Sequence, residues 1–414
     1  MAISDVHEYA HLTPEQVEEL GRELDSIRAE VVASRGERDN RYIHSVIRLQ
    51  RTFELSARTL LYFGARNRTV WVLGAGILSV AKILENMELG HNVMHGQWDW
   101  MNDPEIHSTT WEWDMVGSSA DWKRTHNHQH HKYTNIVGLD DDVGFGVLRV
   151  TRDVPWEPKY AANLLVNTAL MMGFEWGIGM QGVTLTDALP NSDATPGERR
   201  HARAFLRKAA KQILKDYILF PVLAGPSGRQ TLTATLAANL IRNVWTNAVI
   251  FCGHFPDGAE KFTREDAATE TQAEWYLRQM LGSANLTGGP IIDFMSGNLS
   301  YQIEHHLYPD MPSNRLAEAA VRVREVCDKY DLPYVAGSLP VQYAKAWRTI
   351  AKMSLPNHML KATADDAPET SSEKMFEGLP EPTQPVVNGK RVGLKTALRQ
   401  HRARRRRAKY APAA

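Results

Sequence analysis

Two long apolar stretches, each broken by a few charges, organise the chain. Residues 69–89 (TVWVLGAGILSVAKILENMEL) carry Lys82, Glu85 and Glu88, and residues 231–253 (TLTATLAANLIRNVWTNAVIFCG) carry Arg242. A shorter apolar stretch precedes each, 53–65 with Glu54 and Arg58, and 217–225. Tight polar turns, RNR at 66–68 and PSGRQ at 226–230, separate the members of each pair. A spanning helix usually needs about 20 mostly apolar residues, and no fully uncharged run of that length occurs. On hydropathy two readings stay open: two helical hairpins forming four spans with both chain ends on one side, or the buried helices of a soluble α protein. Seven Lys/Arg residues lie between Arg199 and Lys215, just before the stretch 217–225. Positive charge at that place favours a cytoplasmic flank; the plain alternative is a solvated basic helix face.

The remaining pattern is helical. Residues 13–35 read as a soluble helix with Thr13 as N-cap, Pro14 at N1 and Gln16 at N3. Residues 314–330 form an amphipathic helix for which Ser313 is the expected N-cap. The Trp-rich run 98–125 reads as a short packed connection, and 160–186 as an interfacial or buried helix rather than a fifth span. From about 356 the composition shifts to Pro, Glu, Ser and Thr, ending in HRARRRRAKY at 401–410. A disordered, solvated tail is expected there, with contact to anionic lipid as the alternative. The division is N-terminal cytosolic helices (1–50), a membrane unit (51–330) and a C-terminal extension (331–414).

Charge and cysteine content narrow the classes. The 48 Lys and Arg balance the 48 Asp and Glu, so no bulk charge draws the chain to nucleic acid. Two cysteines, Cys252 and Cys327, stand far apart, which excludes a disulfide framework or a thiolate metal site and fits a reducing compartment. The N-terminus shows no apolar signal region.

Nine of the 16 histidines fall in four tight places: His91 and His95; His126, His128, His130 and His131; His254; and His305 and His306. Packing rarely explains such clustering without thiolates, and metal binding does. On an α-helix His91 and His95 share one face, as do His126 and His130, while His131 lies about 100° further round. Adjacent HH pairs therefore suit two neighbouring ions, and eight ligands over two ions leave room for solvent or O2. Imidazole serves Zn, Cu, Fe and Ni. The ligand count exceeds what zinc sites usually take, so redox-active iron is the better fit, with two zincs still open. Glu88 continues to His91 and His95 along one face, and Asn243, Asn247 and His254 share another. The asparagines either line a polar path to the histidine or simply join helices. Asp140 and Asp142 either orient ligands through hydrogen bonds or form a loop turn.

The boxes HNVMH (91–95), HNHQHH (126–131) and QIEHH (302–306), with HHKYTNIVGLDDD and EHHLYPDMP beside them, resemble the three histidine boxes of the membrane fatty acid desaturases. The likeness covers about residues 50–330 and is strongest to the mycobacterial acyl-CoA (stearoyl-CoA 9-) desaturase type. It implies an all-α integral membrane protein of the cell membrane, with four transmembrane helices in two hairpins and both termini cytoplasmic. A cytosolic helical cap would hold a di-iron centre. His91, His95, His126, His130, His131, His305 and His306 would be ligands, with His254 resembling a further one. His128 falls at a variable position. Gln302 would stand beside a ligand or reach a metal through water. The expected reaction is O2-dependent desaturation of a long-chain acyl-CoA held in a narrow apolar tunnel. No H-P-G-G motif, dinucleotide fingerprint or iron–sulfur cysteine set occurs, so electrons would come from a separate NADPH-dependent flavin and iron–sulfur oxidoreductase. Lys123, Arg124 and Lys132 either meet a CoA phosphate or are surface charge. Three rivals remain: a hydroxylase sharing the same boxes, a carboxylate-bridged site of E-x-x-H type through Glu88 and His91, and a histidine-rich metal transporter.

Overall fold

Thr13 caps the first helix as its sequence predicts: its hydroxyl accepts from the Gln16 amide while the Gln16 side chain accepts from the Thr13 amide. The computed structural model describes residue 9 and residues 11–360 apart from 191, 257 and 266, with the backbone of the antiparallel pair 386–387 and 390–391. The basic end at 401–410 lies outside the described residues.

Helix α1 (Pro14–Ala33) is followed by α2 (Glu37–Gly64) and α3 (Arg68–Leu84). Asn67 closes the turn between α2 and α3, its side chain accepting from the amides of Thr69 and Val70. Short helices follow at α4 (Ser119–Trp122), α5 (Asn163–Met172) and α6 (Phe174–Gly179), the last two broken at Gly173 and far too short to span. A second long hairpin joins α7 (Pro196–Ile213), extended through Leu214–Leu219 and Phe220–Leu223, to α8 (Gly228–His254). Helices α9 (Gln272–Gly282), α10 (Gln302–Leu307), α11 (Leu316–Lys329) and α12 (Leu339–Met353) complete the chain. Sheet structure among the described residues is slight: β1 (Asn285–Thr287) runs parallel to β2 (Ala336–Ser338).

The two long hairpins pack through small side chains. Ala57, Leu61, Ala75, Leu78, Ala234 and Ala238 form one buried cluster of α2, α3 and α8. A Cβ on Gly74 would meet Leu61 at 2.9 Å, so glycine there sets how closely α2 and α3 approach. The cations that break the apolar stretches turn inward and pair, while Glu88 is buried and, like Glu85, accepts from neutral hydrogen-bond donors. Lys82 donates to Asp216 at 2.8 Å and to Asp114 at 3.3 Å. Arg58 lies 3.7 Å from Asp216, and Arg242 pairs with Glu175. The outward surface of these helices is apolar instead: Leu55, Phe63, Val72, Leu73, Val222, Leu223, Leu236 and Ile241 are exposed, Phe63 at 87%. A patch of that extent marks a membrane or partner surface. Among the described residues one helical run, Arg68–Met94, is by length and composition apolar enough to cross a membrane.

A second body of packing joins the chain ends to the far end of the hairpins. Leu20, Leu24, Leu277, Met280, Ile303, Leu307, Leu316 and Val323 share one core, uniting α1, α9, α10 and α11. Packing continues beyond residue 330. The Asn163 side chain donates to the Ile350 carbonyl and Tyr343 of α12 to Asn247 of α8, so α12 packs on α5 and α8. Ser313 departs from its expected role. A 3₁₀ turn, Ser313–Arg315, opens α11, and the Ser313 hydroxyl donates to Glu88 at 2.6 Å rather than capping the helix.

Candidate metal centre

A π-helical turn leads into the first histidine box at His91, and another carries most of the second. Helix α3 continues through Glu85–His91 and α4 through Lys123–His130 with i→i+5 hydrogen bonding. One extra residue per turn rotates side chains away from the faces an α-helix would assign, and this decides which histidines meet. His91 Nε2 lies 3.3 Å from both His95 Nε2 and His126 Nε2, and the His305 ring centres 4.9 Å from His91. These four form one group of mutually close ring nitrogens. His130, His254 and His306 form a second, with His306 Nε2 at 3.2 Å from His254 Nε2. The four-residue spacing of His126 and His130 predicted that they would serve one ion. His126 and His130 do keep together, their rings stacked 5.0 Å apart and forming a third close group with Asp142, while each also belongs to one of the two all-histidine groups. His131 stands between the groups, 4.6 Å from His95 and 4.4 Å from His306. His128 is exposed and joins neither group.

Neighbouring polar groups aim several of these rings. Asp140 is buried and takes His130 Nδ1 at 3.0 and 3.1 Å. It also accepts from the amides of Asn135 and Asp142, so the two readings of that carboxylate hold together: the turn that saturates Asp140 is what holds it against His130. Asn92 Oδ1 faces His91 Nδ1 at 3.2 Å and Gln279 Oε1 faces His306 Nδ1 at 3.1 Å. A ring whose Nδ1 donates in this way presents the Nε2 lone pair. Gln302 Nε2 lies 3.0 Å from His254 Nε2, while its Oε1 is buried without a partner. Asp140→Asn is therefore expected to lower metal retention or turnover 10- to 100-fold, as is usual when a ligand loses its outer partner. Metal content per chain and initial rate, measured side by side, check it.

Burial and mutual repulsion hold His126, His131, His305 and His306 well below the ordinary imidazole range, in the neutral form that offers lone pairs. His130 goes the other way: burial alone would depress it, but Asp140 and Asp142 lift it to about 9. Neither ring nitrogen of His131 or of His305 has a partner, though both residues are buried. Orphaned buried nitrogens of neutral imidazoles are unfavourable unless a cation takes them. Nitrogens 3.2–3.3 Å apart fit a shared ion at metal–imidazole bonds of about 2.1 Å. The donor set is nitrogen-rich and suits two transition-metal ions.

Other sequence expectations sort as follows. Glu88 is fully buried and taken by Tyr42, Ser313 and Asn298, which removes the carboxylate-bridged reading: the π turn swings it off the His91 face. Asn243 donates to the Met172 carbonyl and Asn247 accepts from Tyr343 at 2.8 Å. Both asparagines thus join helices, and Asn247, about two turns before His254, is held by α12 instead of by a ligand. Lys123 donates to the Ser108 carbonyl, whereas Lys132 is exposed. Gln279 was not legible as a site residue, since nothing local links it to His306; Asn92 sits inside the first box and offered a signal by adjacency.

The fatty acid desaturase family model matches residues 69–338. The NADPH-dependent stearoyl-CoA 9-desaturase of Mycobacterium tuberculosis is 58% identical over 98% of this chain and 96% of the relative. More distant likenesses include the sn-1 linoleoyl-lipid 6-desaturase of Synechocystis sp., 23% identical over 76% of this chain and 88% of the relative. The Delta(8)-fatty-acid desaturase of Euglena gracilis is 28% identical over 51% of each chain.

Proposed function

This chain belongs to the fatty acid desaturase family, and from that premise we propose that it converts stearoyl-CoA to oleoyl-CoA with O2 at a histidine-ligated di-iron centre. Electrons come from a separate NADPH-linked flavin and iron–sulfur reductase. The observation that carries the reading is the convergence of seven imidazoles, from four separated segments, into two adjacent groups, with the unpartnered ring of His131 between them. The relative that covers nearly the whole chain is named for stearoyl-CoA and for NADPH, which supports both the substrate and the donor.

His91, His95, His126 and His305 would hold one iron and His130, His254 and His306 the other, with His131 placed between them. When bound, the iron pair supplies the reduction of O2 that lets two hydrogens leave adjacent methylenes, chemistry beyond side-chain acids and bases. The chain's own part is orientation. Asp140, Asn92 and Gln279 fix His130, His91 and His306 with Nε2 forward. Trp122 packs over His126 at 4.4 Å, and Trp113 packs against Trp122, walling that side with apolar surface that excludes water.

The same reading places four spans in the cell membrane, with the histidines and both termini on the cytoplasmic side. Supporting it are the two long hairpins, the inward pairing of Lys82, Arg58 and Arg242 and the outward apolar belt. Helices α3 and α8 both begin at the hairpin turns and end at histidines, so the cluster lies at the end of the bundle remote from those turns. Residues 51–330 form the desaturase unit in this arrangement.

The test feeds deuterated stearoyl-CoA, O2 and an NADPH-driven reductase to membranes carrying the chain, with His130→Ala alongside. Expected is oleoyl-CoA with two deuterons lost, absent in the control, as read by mass spectrometry with double-bond location. A hydroxylated product would transfer the chain to the hydroxylases, and activity that follows zinc rather than iron content would end the di-iron reading.

A further inference from the structure

Helix α7 carries three stripes along its length, and two of them serve no part of the metal centre. Its inner stripe, Ala202, Phe205, Ala209 and Gln212, is buried, with Phe205 and Ala209 packed beside Val116. At about 100° per residue, Leu206, Ala210, Ile213 and Leu214 form an adjoining stripe, and all four are exposed. Arg200, Arg203, Arg207 and Lys211 follow at three- and four-residue steps on the next face, also exposed. The segment's other cations are used internally: Lys208 pairs with Glu112, Lys215 with Asp114, and Arg199 donates to the Ser192 carbonyl. Arg200, Arg207 and Lys211, by contrast, make no hydrogen bond or ion pair among the described residues. The helix then runs through Leu214–Leu219 into Phe220–Leu223, where Ile218, Leu219, Val222 and Leu223 continue the exposed apolar surface.

We infer that α7 lies along the membrane surface and that Arg200, Arg207 and Lys211 bind the phosphates of anionic phospholipid headgroups. This rests on the four-span reading above. The apolar stripe sinks into the boundary between headgroups and acyl chains, and the long cationic side chains reach up from it to the phosphates. A bilayer satisfies both stripes at once. A soluble phosphate, such as that of free coenzyme A, would pair with the cations but leave Leu206, Ile213 and Leu214 in water. Each cation near an anionic leaflet contributes on the order of a fivefold preference at moderate salt.

The test places a fluorophore on Ala210→Cys in the full chain, where Cys252 and Cys327 are buried, in nanodiscs of phosphatidylcholine and phosphatidylglycerol. Brominated phosphatidylglycerol is expected to quench about fivefold more than brominated phosphatidylcholine at equal mole fraction. High salt, or Arg200→Glu with Arg207→Glu and Lys211→Glu, should remove that preference. Equal quenching by the two lipids, or a preference that survives the triple substitution, overturns the inference. So does displacement of the preference by free coenzyme A, which would assign the face to soluble phosphate. The same label at Leu236→Cys on α8 separates the two readings. Quenching there with none at 210 defeats the surface helix alone, whereas no quenching at either site defeats the four spans beneath it.

Discussion

His131→Ala is expected to empty the metal centre and lower turnover by more than about 100-fold, since losing even an outer partner of a ligand costs 10- to 100-fold. His131 is buried, and neither of its ring nitrogens has a partner. Its ring lies against members of both groups, His95 at 4.6 Å and His306 at 4.4 Å. A histidine serving only to fill space would, on truncation, lose packing energy and keep its metal. One that would hold a metal costs the site that ion when removed, because the nitrogens left around it are one donor short. Metal content per chain, taken with the melting temperature, distinguishes the cases. A folded His131→Ala chain with its full complement of iron would remove His131 from the ligand set.

Asp39→Ala is expected to destabilise the chain by roughly 3–5 kcal/mol, the usual effect of removing one member of a buried, hydrogen-bonded ion pair. Asp39 is fully buried at the start of α2. It accepts from Arg315 at 2.6 and 3.0 Å, from Asn314 at 2.8 Å and from the Gly36 amide at 3.0 Å. That one carboxylate thus ties the N-terminal helices to the opening of α11. Burial alone would raise its pKa, but Arg315 and Asn314 hold it below the ordinary value near 3.8. Because the folded-state pKa is depressed, its stabilising contribution is present above about pH 4 and fades as pH falls through the lower folded value. Melting as a function of pH should show the wild type and Asp39→Ala converging in acid and separating towards neutrality. A gap that stays constant down to pH 2 would assign the loss to packing rather than charge.

Much of the architecture was legible along the chain because it depends on near neighbours. The Thr13 and Gln16 cap and the turns at 66–68 and 226–230 follow from residues within a few positions of one another, whereas the stretch 160–186, read as one helix, is broken at Gly173. The histidine clusters were legible for a similar reason: paired spacings and the absence of thiolate ligands are properties of composition and order. Ser313 shows where such reasoning stops. Its place before an amphipathic helix is that of a cap, yet a buried carboxylate 225 residues earlier claims its hydroxyl, because each further donor lowers the cost of burying Glu88.

The sequence by itself determined that this chain is helical, that its charges interrupt two apolar hairpins and that its histidines cluster in a pattern suited to metal, since periodicity and spacing are local. Only the tertiary structure decided how those imidazoles divide. The π-helical turns at Glu85–His91 and Lys123–His130 shift each following side chain by a fraction of a turn, and nothing in the boxes themselves announces that slip. The partners that aim the rings, Gln279 for His306 and Gln302 for His254, likewise lie 27 and 48 residues away. Which nitrogen faces which depends on where the backbone of α8, α9 and α10 comes to rest, and that follows from burying the whole core at once.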